Sequence, residues 1–404
     1  MLSFEEARQK VVSVVRERGA RAGHDVVEIG RGFGRILAEP AFADRDYPPF
    51  DRSTRDGFAV RAADVATSGS TLELVGEIKA GDTFTANVAS GQTVQIMTGA
   101  ALPAGTDAVV MIEHARIEGK RVSFDGRVQP GQNVVPRGSE GRMGQTLLEP
   151  GTRMGYAELA LAAQVGKIRF DVYRRPRVAI LSTGDEVVPI ESKPGPFQIR
   201  NSNVLSLAAQ AALAGAEPLP LGNAPDHPGP LRVMIEKGLE AEILVLSGGV
   251  SVGKYDLVES VLNELGAEFY FDAVAIRPGR PAVFGICRNK FVFGLPGNPV
   301  STMVTFELLV VPAIDWLGGA EPRPLPLFKA RLAAAVRQRA ALTHFLPAEL
   351  NWDGGEPVVR ELPWQGSGDI VAVARAACFL VVRPEKLELA AGEWVDVLPR
   401  RGLF

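Results

Sequence analysis

The sequence predicts a multidomain α/β plus β protein, and three observations carry that expectation. The chain has 404 residues, which at ~100–200 residues per domain suggests two to four domains. From Arg177 to Leu317, apolar strand-like runs alternate with helical patterns, as crossover connections in a mostly parallel sheet require. Residues 44–143 and 321–404 instead carry short alternating runs separated by turn residues, which predicts β-rich units at both places.

The elements follow in order. Ser3 with Glu6 forms a capping box, and Phe4, Ala7, Val11, Val14 and Val15 share one helical face. Gly19 and Gly23 close that helix, and a short helical piece is expected over RILAE after Gly34, stopping at Pro40. TLELVGEI, TVQIM and AVVMIEHARI alternate as strands do. GYAELALAAQV is helical, with Gly166 as its C-terminal cap. The expected domains are an elongated helical, dimerisation domain over 1–43 and 144–173 and a β-rich inserted domain over 44–143. An α/β domain over 174–320 and a C-terminal β domain over 321–404 complete the chain.

The chain is 46% hydrophobic and 23% charged, with a net charge of −3 and no basic block. A nucleic-acid surface is not expected. The polar N-terminus is no secretory signal, and no apolar run approaches the ~20 residues that span a bilayer. The two cysteines, Cys287 and Cys378, read as small core residues in a reducing cytoplasm. The four histidines do not cluster, and no zinc spacing is present.

Three loops share one plan: an apolar strand, small or glycine-containing polar residues, then a helix. They are Leu181–Glu186 (LSTGDE), Leu246–Asp256 (LSGGVSVGKYD) and Leu295–Ser301 (LPGNPVS). In a parallel sheet they meet at the carboxyl ends of the strands, where open α/β sheets bind ligands. Glycines let backbone N–H groups approach an anion, and a helix start attracts it further; Pro299 suits such a start. Neither a Walker A sequence nor GxGxxG is present. Asp185, Glu186, Asp226 and Asp256 supply carboxylates, and Mg²⁺ takes one or two of these plus substrate oxygens. Helix capping is the competing reading, favoured for Asp226. Arg277-Pro278-Gly279-Arg280 is a turn presenting two guanidinium groups to an oxyanion; a solvated surface turn is the alternative. Asp56-Gly57 and Thr98-Gly99 read locally as plain turns.

PPFDRSTRDGFAV, IMTGA, LSTGDE, LSGGVSVGKYD, RPGRP and LPGNPVS, in this order, resemble the MoeA family, the molybdopterin molybdenumtransferases related to the gephyrin E domain. The resemblance spans nearly the whole chain. It implies that the α/β domain is doubly wound and MogA/MoaB-like, that the C-terminal domain is a β-barrel, and that the protein is a homodimer with its cleft shared between subunits. The implied reaction inserts molybdate into adenylylated molybdopterin with Mg²⁺, releasing AMP and the molybdenum cofactor. The implied catalytic residues are Asp56, Thr98, Glu186, Asp256, Arg277 and Arg280, with Glu186 and Asp256 on the metal. Substrate contacts are implied for Gly99, Ser182, Thr183, Gly184, Asp185, Asn203, Asp226, Gly248, Gly249 and Ser251, and for Pro296, Gly297, Asn298, Pro299 and Ser301. An adenylyltransferase is a possible partner for handover of the pterin.

The chain departs from the family at several points. Arg277 and Arg280 stand where lysines are usual, Arg52-Ser53-Thr54-Arg55 precedes Asp56, Gly138-Ser139-Glu140 replaces Gly-Glu-Asp, and an Asp pair is reduced to Asp226-His227. The competing functions are a molybdopterin adenylyltransferase, a tungstate-preferring paralogue and a non-catalytic scaffold. The first would need neither the β insert nor the C-terminal domain.

Overall fold

A computed structural model describes residues 1–82, 84–249 and 257–402. Helix α1 (Phe4–Arg18) opens with the expected capping box: Ser3 Oγ accepts from the Glu6 amide while Glu6 Oε2 accepts from the Ser3 amide. Its apolar stripe is buried in the same core as the α/β domain's last helix. The partner of that stripe is thus the α/β domain. Periodicity shows that a face is buried but not what covers it.

Beyond α1, an antiparallel ribbon pairs His24–Glu28 with Arg169–Tyr173. The helix expected over RILAE is absent. Ile36 and Leu37 instead make single bridges to Arg153 and Val172, because five residues before a proline gain more from tertiary pairing than from one helical turn. Helix α2 (Tyr156–Gln164) follows.

The insert holds β1 (Gly57–Val60), β2 (Thr71–Ile78), β3 (Gln92–Ile96), β4 (Ala108–Met111), β5 (Ala115–Glu118) and β6 (Arg121–Phe124). They form one sheet of order β4-β1-β3-β2-β6-β5.

The central sheet consists of β7 (Arg177–Thr183), β8 (Glu217–Ala224), β9 (Ile243–Ser247), β10 (Glu268–Ala273), β11 (Pro281–Cys287) and β12 (Lys290–Leu295), in the order β8-β7-β9-β12-β11-β10. The first four strands are parallel; β11 and β10 add an antiparallel edge. Helices α3 (Ser202–Ala214), α4 (Pro228–Gly238), α5 (Leu257–Glu264) and α6 (Pro299–Leu317) cover it. Alternate residues of β9 enter different cores: Ile243 and Val245 join α1, α3 and α6, while Leu244 and Leu246 join α4 and α5. Burial on both faces is why these strands read as unbroken apolar runs.

Helix α6 is 19 residues long and apolar enough to cross a membrane, but 89% of its apolar window is buried inside the fold. The expectation that no run approaches that length is corrected: α6 is apolar because it is surrounded by protein. It widens into a π turn at Phe306–Val310. Its two buried acids are answered from three parts of the chain: Glu307 by Arg401, and Asp315 by Arg153 and Arg323.

The C-terminal part is a closed five-stranded barrel of β13 (Phe328–Leu332), β14 (Thr343–Asp353), β15 (Glu356–Glu361), β16 (Cys378–Val382) and β17 (Trp394–Pro399). Closure comes from β14, which pairs with both β15 and β16. A short helix α7 (Ile370–Arg375) is capped by Asp369. Both cysteines are buried, and burial pushes the Cys378 thiol up to about 12, in keeping with core roles.

Candidate functional site

The carboxyl ends of β7, β9 and β12 open into a cavity of about 420 Å³. Ser182, Thr183, Gly184 and Glu186 line it from the first loop, Ser247, Gly248 and Gly249 from the second, and Pro296 to Pro299 from the third. The expected convergence of the three loops is therefore present. Ser251 and Asp256, expected on the second loop, lie outside the described residues.

The close approach of these loops depends on glycine. Gly248 has φ +94°, and a Cβ there would sit 2.9 Å from the Thr183 carbonyl oxygen. A side chain would be both strained and obstructed.

Asn203, in the first turn of α3, ties the site together. Its Nδ2 donates to Ser247 Oγ and to the Gly297 carbonyl, both at 2.8 Å. Ser182 Oγ donates to Asn201 Oδ1 at 3.0 Å, and that oxygen also caps α3 by accepting from the Val204 amide. Among the described residues, two buried polar atoms of the lining have no partner: Thr183 Oγ1 and Asn203 Oδ1. Native interiors satisfy nearly all such groups, so these two atoms are available to a ligand's polar atoms.

The carboxylates gather on one side. Glu186 and Asp226 line the cavity, and Asp185 Oδ1 accepts from the Asp226 amide at 3.0 Å. Asp185 thus holds the loop. Burial, then the nearby Asp185 and Glu186, push the Asp226 carboxyl above its ordinary value. The capping reading of Asp226 does not hold: His227 occupies the N-cap position of α4, with no side-chain cap. Among the described residues no group of three or more His, Cys, Asp or Glu forms a metal cage.

Pro281, directly after Arg280, also lines the cavity. Gly279 packs against α6, where an added Cβ would lie 2.7 Å from Thr305 Cγ2. The Arg277–Pro278 bond is cis. Arg277 pairs in register with His344 of β14, so the barrel braces the turn. Both arginines are exposed, and among the described residues neither has a carboxylate partner.

Asp56 and Thr98 are brought together, but not into this cavity. Asp56 Oδ1 accepts from the Thr98 amide at 2.6 Å and from Thr98 Oγ1 at 2.8 Å. Those bonds, the backbone one first, hold the carboxyl below its ordinary value. Gly99 has φ +84° and donates to the Ser53 carbonyl. Ser301 is buried in the first turn of α6 and lies outside the lining.

Sequence reasoning missed Val187, Ile199, Arg200, Asn201 and Ser202 as lining residues. It also missed Ser367 of the C-terminal part, whose Oγ accepts from Asn298 Nδ2 at 2.9 Å and whose carbonyl accepts from the Val300 amide. The helix-cap preference of Asn201 and Ser202 was the one available signal.

Residues 2–166 match the family described as "MoeA N-terminal region (domain I and II)", residues 179–316 "Probable molybdopterin binding domain", and residues 329–399 "MoeA C-terminal region (domain IV)". A molybdopterin molybdenumtransferase of Haemophilus influenzae is 33% identical over 404 residues, covering 99% of this chain and 98% of its own. The chain belongs to the MoeA family. The molybdopterin molybdenumtransferase of Nostoc sp. is 39% identical over 336 residues, 81% of this chain and 77% of the relative. A MoeA crystal structure from Pyrococcus horikoshii superimposes with a TM-score of 0.74 at 34% identity, covering 97% of this chain and 98% of the other. A second from the same organism gives 0.81 at 26% identity, covering 99% and 100%. As a MoeA-family member the protein is a transferase of molybdenum cofactor biosynthesis, and its loop cavity lies within the molybdopterin-binding match.

Proposed function

We propose that this protein inserts molybdate into adenylylated molybdopterin: the pterin dithiolate displaces oxygen from molybdate as water, and one water equivalent attacks the phosphoanhydride, so that AMP leaves and the molybdenum cofactor forms. The observation that carries the reading is the cavity itself: three glycine-bearing loops meet there around two orphaned buried acceptors, Thr183 Oγ1 and Asn203 Oδ1. Such a surface suits a ligand rich in hydroxyl and amino donors with phosphates among backbone N–H groups.

The chain's own residues divide the work. The loops at Gly248-Gly249 and Pro296–Pro299 seat the phosphates and position the anhydride for the attacking water. Glu186 and Asp226 both line the cavity, and two carboxylates facing one cavity suit a divalent cation. Mg²⁺ bound there with Asp256 would neutralise phosphate charge as AMP departs. Arg277 and Arg280, without a carboxylate partner among the described residues, hold molybdate as permanent cations, so the replacement of lysine preserves oxyanion binding. In the homodimer that the MoeA resemblance implies, Asp56, hydrogen-bonded by Thr98, would complete the cleft from the second subunit.

The test supplies purified protein with adenylylated molybdopterin, Mg²⁺ and either molybdate or tungstate, and separately with molybdopterin and Mg-ATP. AMP release that depends on molybdate supports the reading. Adenylylation of molybdopterin without molybdate insertion would establish the adenylyltransferase instead, and release driven better by tungstate would reassign the oxyanion.

A further inference from the structure

A second cavity, of about 560 Å³, lies at the opposite end of the central sheet. Arg177 is the first residue of β7, Glu217 the first of β8, and Glu242 immediately precedes β9; all three line this cavity. Arg31, Arg35, Arg174 and Arg175 complete its basic wall, with Asp25 on the ribbon. The β7, β9 and β12 loops leave the other ends of the strands, so the two cavities share no residue.

The charges do not cancel. Arg177 is held by Glu242, Nη2 to Oε1 at 3.1 Å and Nε to Oε2 at 3.2 Å. Arg35 Nη2 donates to Asp25 Oδ2 and to the Tyr173 carbonyl, each at 3.1 Å. Among the described residues no hydrogen bond or ion pair engages the side chains of Arg31, Arg174 or Arg175, which leaves three cations against Glu217. The Nε of Arg35 is buried with no partner among the described residues. A buried orphan donor in a wall of surplus guanidinium groups calls for an acceptor from outside the chain.

The geometry points to a second anion site here, for a small ligand carrying at least two phosphate groups. Guanidinium forks match phosphate oxygens bidentately and remain charged at every working pH. Three free forks around one cavity exceed what a single phosphate engages. The site spans the junction at Arg174-Arg175-Pro176, where the chain passes from the ribbon into β7. A bound polyphosphate would therefore fasten the ribbon to the central sheet.

Calorimetric titration of the full-length protein with inorganic pyrophosphate, and with ADP, tests the site. One equivalent should disappear in Arg174→Ala/Arg175→Ala and persist in Arg277→Ala/Arg280→Ala. Arg31→Gln should weaken that same equivalent about tenfold, the size of one lost charge-assisted contact. ADP binding as tightly as pyrophosphate would show that the phosphates alone are read, and tighter ADP binding that the nucleoside adds contacts. Unchanged titration of Arg174→Ala/Arg175→Ala would overturn the site. So would an equal loss in Arg337→Ala/Arg360→Ala, which removes two exposed cations elsewhere.

Discussion

Asn203 donates from one amide nitrogen to both Ser247 Oγ and the Gly297 carbonyl, each at 2.8 Å. A single side chain on α3 therefore sets the spacing between the end of β9 and the loop that enters α6. Replacing it with Ala should remove both bonds, at roughly 0.5–1.5 kcal/mol each. The expected result is a KM for the adenylylated pterin raised about tenfold, with only a few degrees lost in Tm. An unchanged KM would mean that the loops hold their spacing without it.

Asp226→Asn probes the carboxylate cluster through stability. The folded carboxyl titrates above its ordinary value, chiefly from burial and then from Asp185 and Glu186. Its contribution to stability is thus present below the unfolded pKa and lost as pH rises through the folded one. Without Mg²⁺, the variant should melt above the wild type at neutral pH, and the difference should vanish in acid. Half-maximal activity should also need more Mg²⁺. Thermal melts at pH 4 and pH 7.5 without Mg²⁺ check the first statement, and a Mg²⁺ titration of activity checks the second.

The Asp56–Thr98 pair has the opposite sign. Hydrogen bonds from Thr98 hold the Asp56 carboxyl below its ordinary value, so the associated stability is present above the unfolded pKa and lost as pH falls through the folded one. Thr98→Val removes the hydroxyl donor but keeps the amide. The Asp56 carbon resonance should then titrate at higher pH than in wild type, without reaching that of a free aspartate.

Gly248→Ala should damage the site more than the fold. At φ +94° with the Thr183 carbonyl 2.9 Å from any added Cβ, alanine forces the loop to shift at a cost of about 1–3 kcal/mol. Tm should fall by a few degrees, while kcat/KM falls by tenfold or more as the phosphate seat is displaced.

Much of this arrangement was legible in the sequence because glycine after an apolar run has few other uses. The loops at Gly184, Gly248 and Gly297 could be placed on one rim from strand direction alone. Strand β14 was harder to see. Pro347 interrupts its pattern, yet it pairs opposite Phe379 inside the barrel, and Thr343 and His344 are buried polar residues. The packing of α1 against α6 was hidden because an amphipathic stripe does not name its partner. Ser367 and Arg200 reach the site through tertiary contacts that no local spacing encodes. Asp56 and Thr98 looked like two separate turns because their hydrogen bond crosses 42 residues of chain.

Molybdate-dependent AMP release in a single turnover, compared between wild type and Glu186→Ala, tests the central claim most directly. The cavity reading predicts that release by wild type requires both molybdate and Mg²⁺, and that the variant still binds the adenylylated pterin but releases AMP at least ~100-fold more slowly, a loss of about 2.7 kcal/mol of transition-state stabilisation. Release at the wild-type rate by Glu186→Ala, or release indifferent to molybdate, would contradict it.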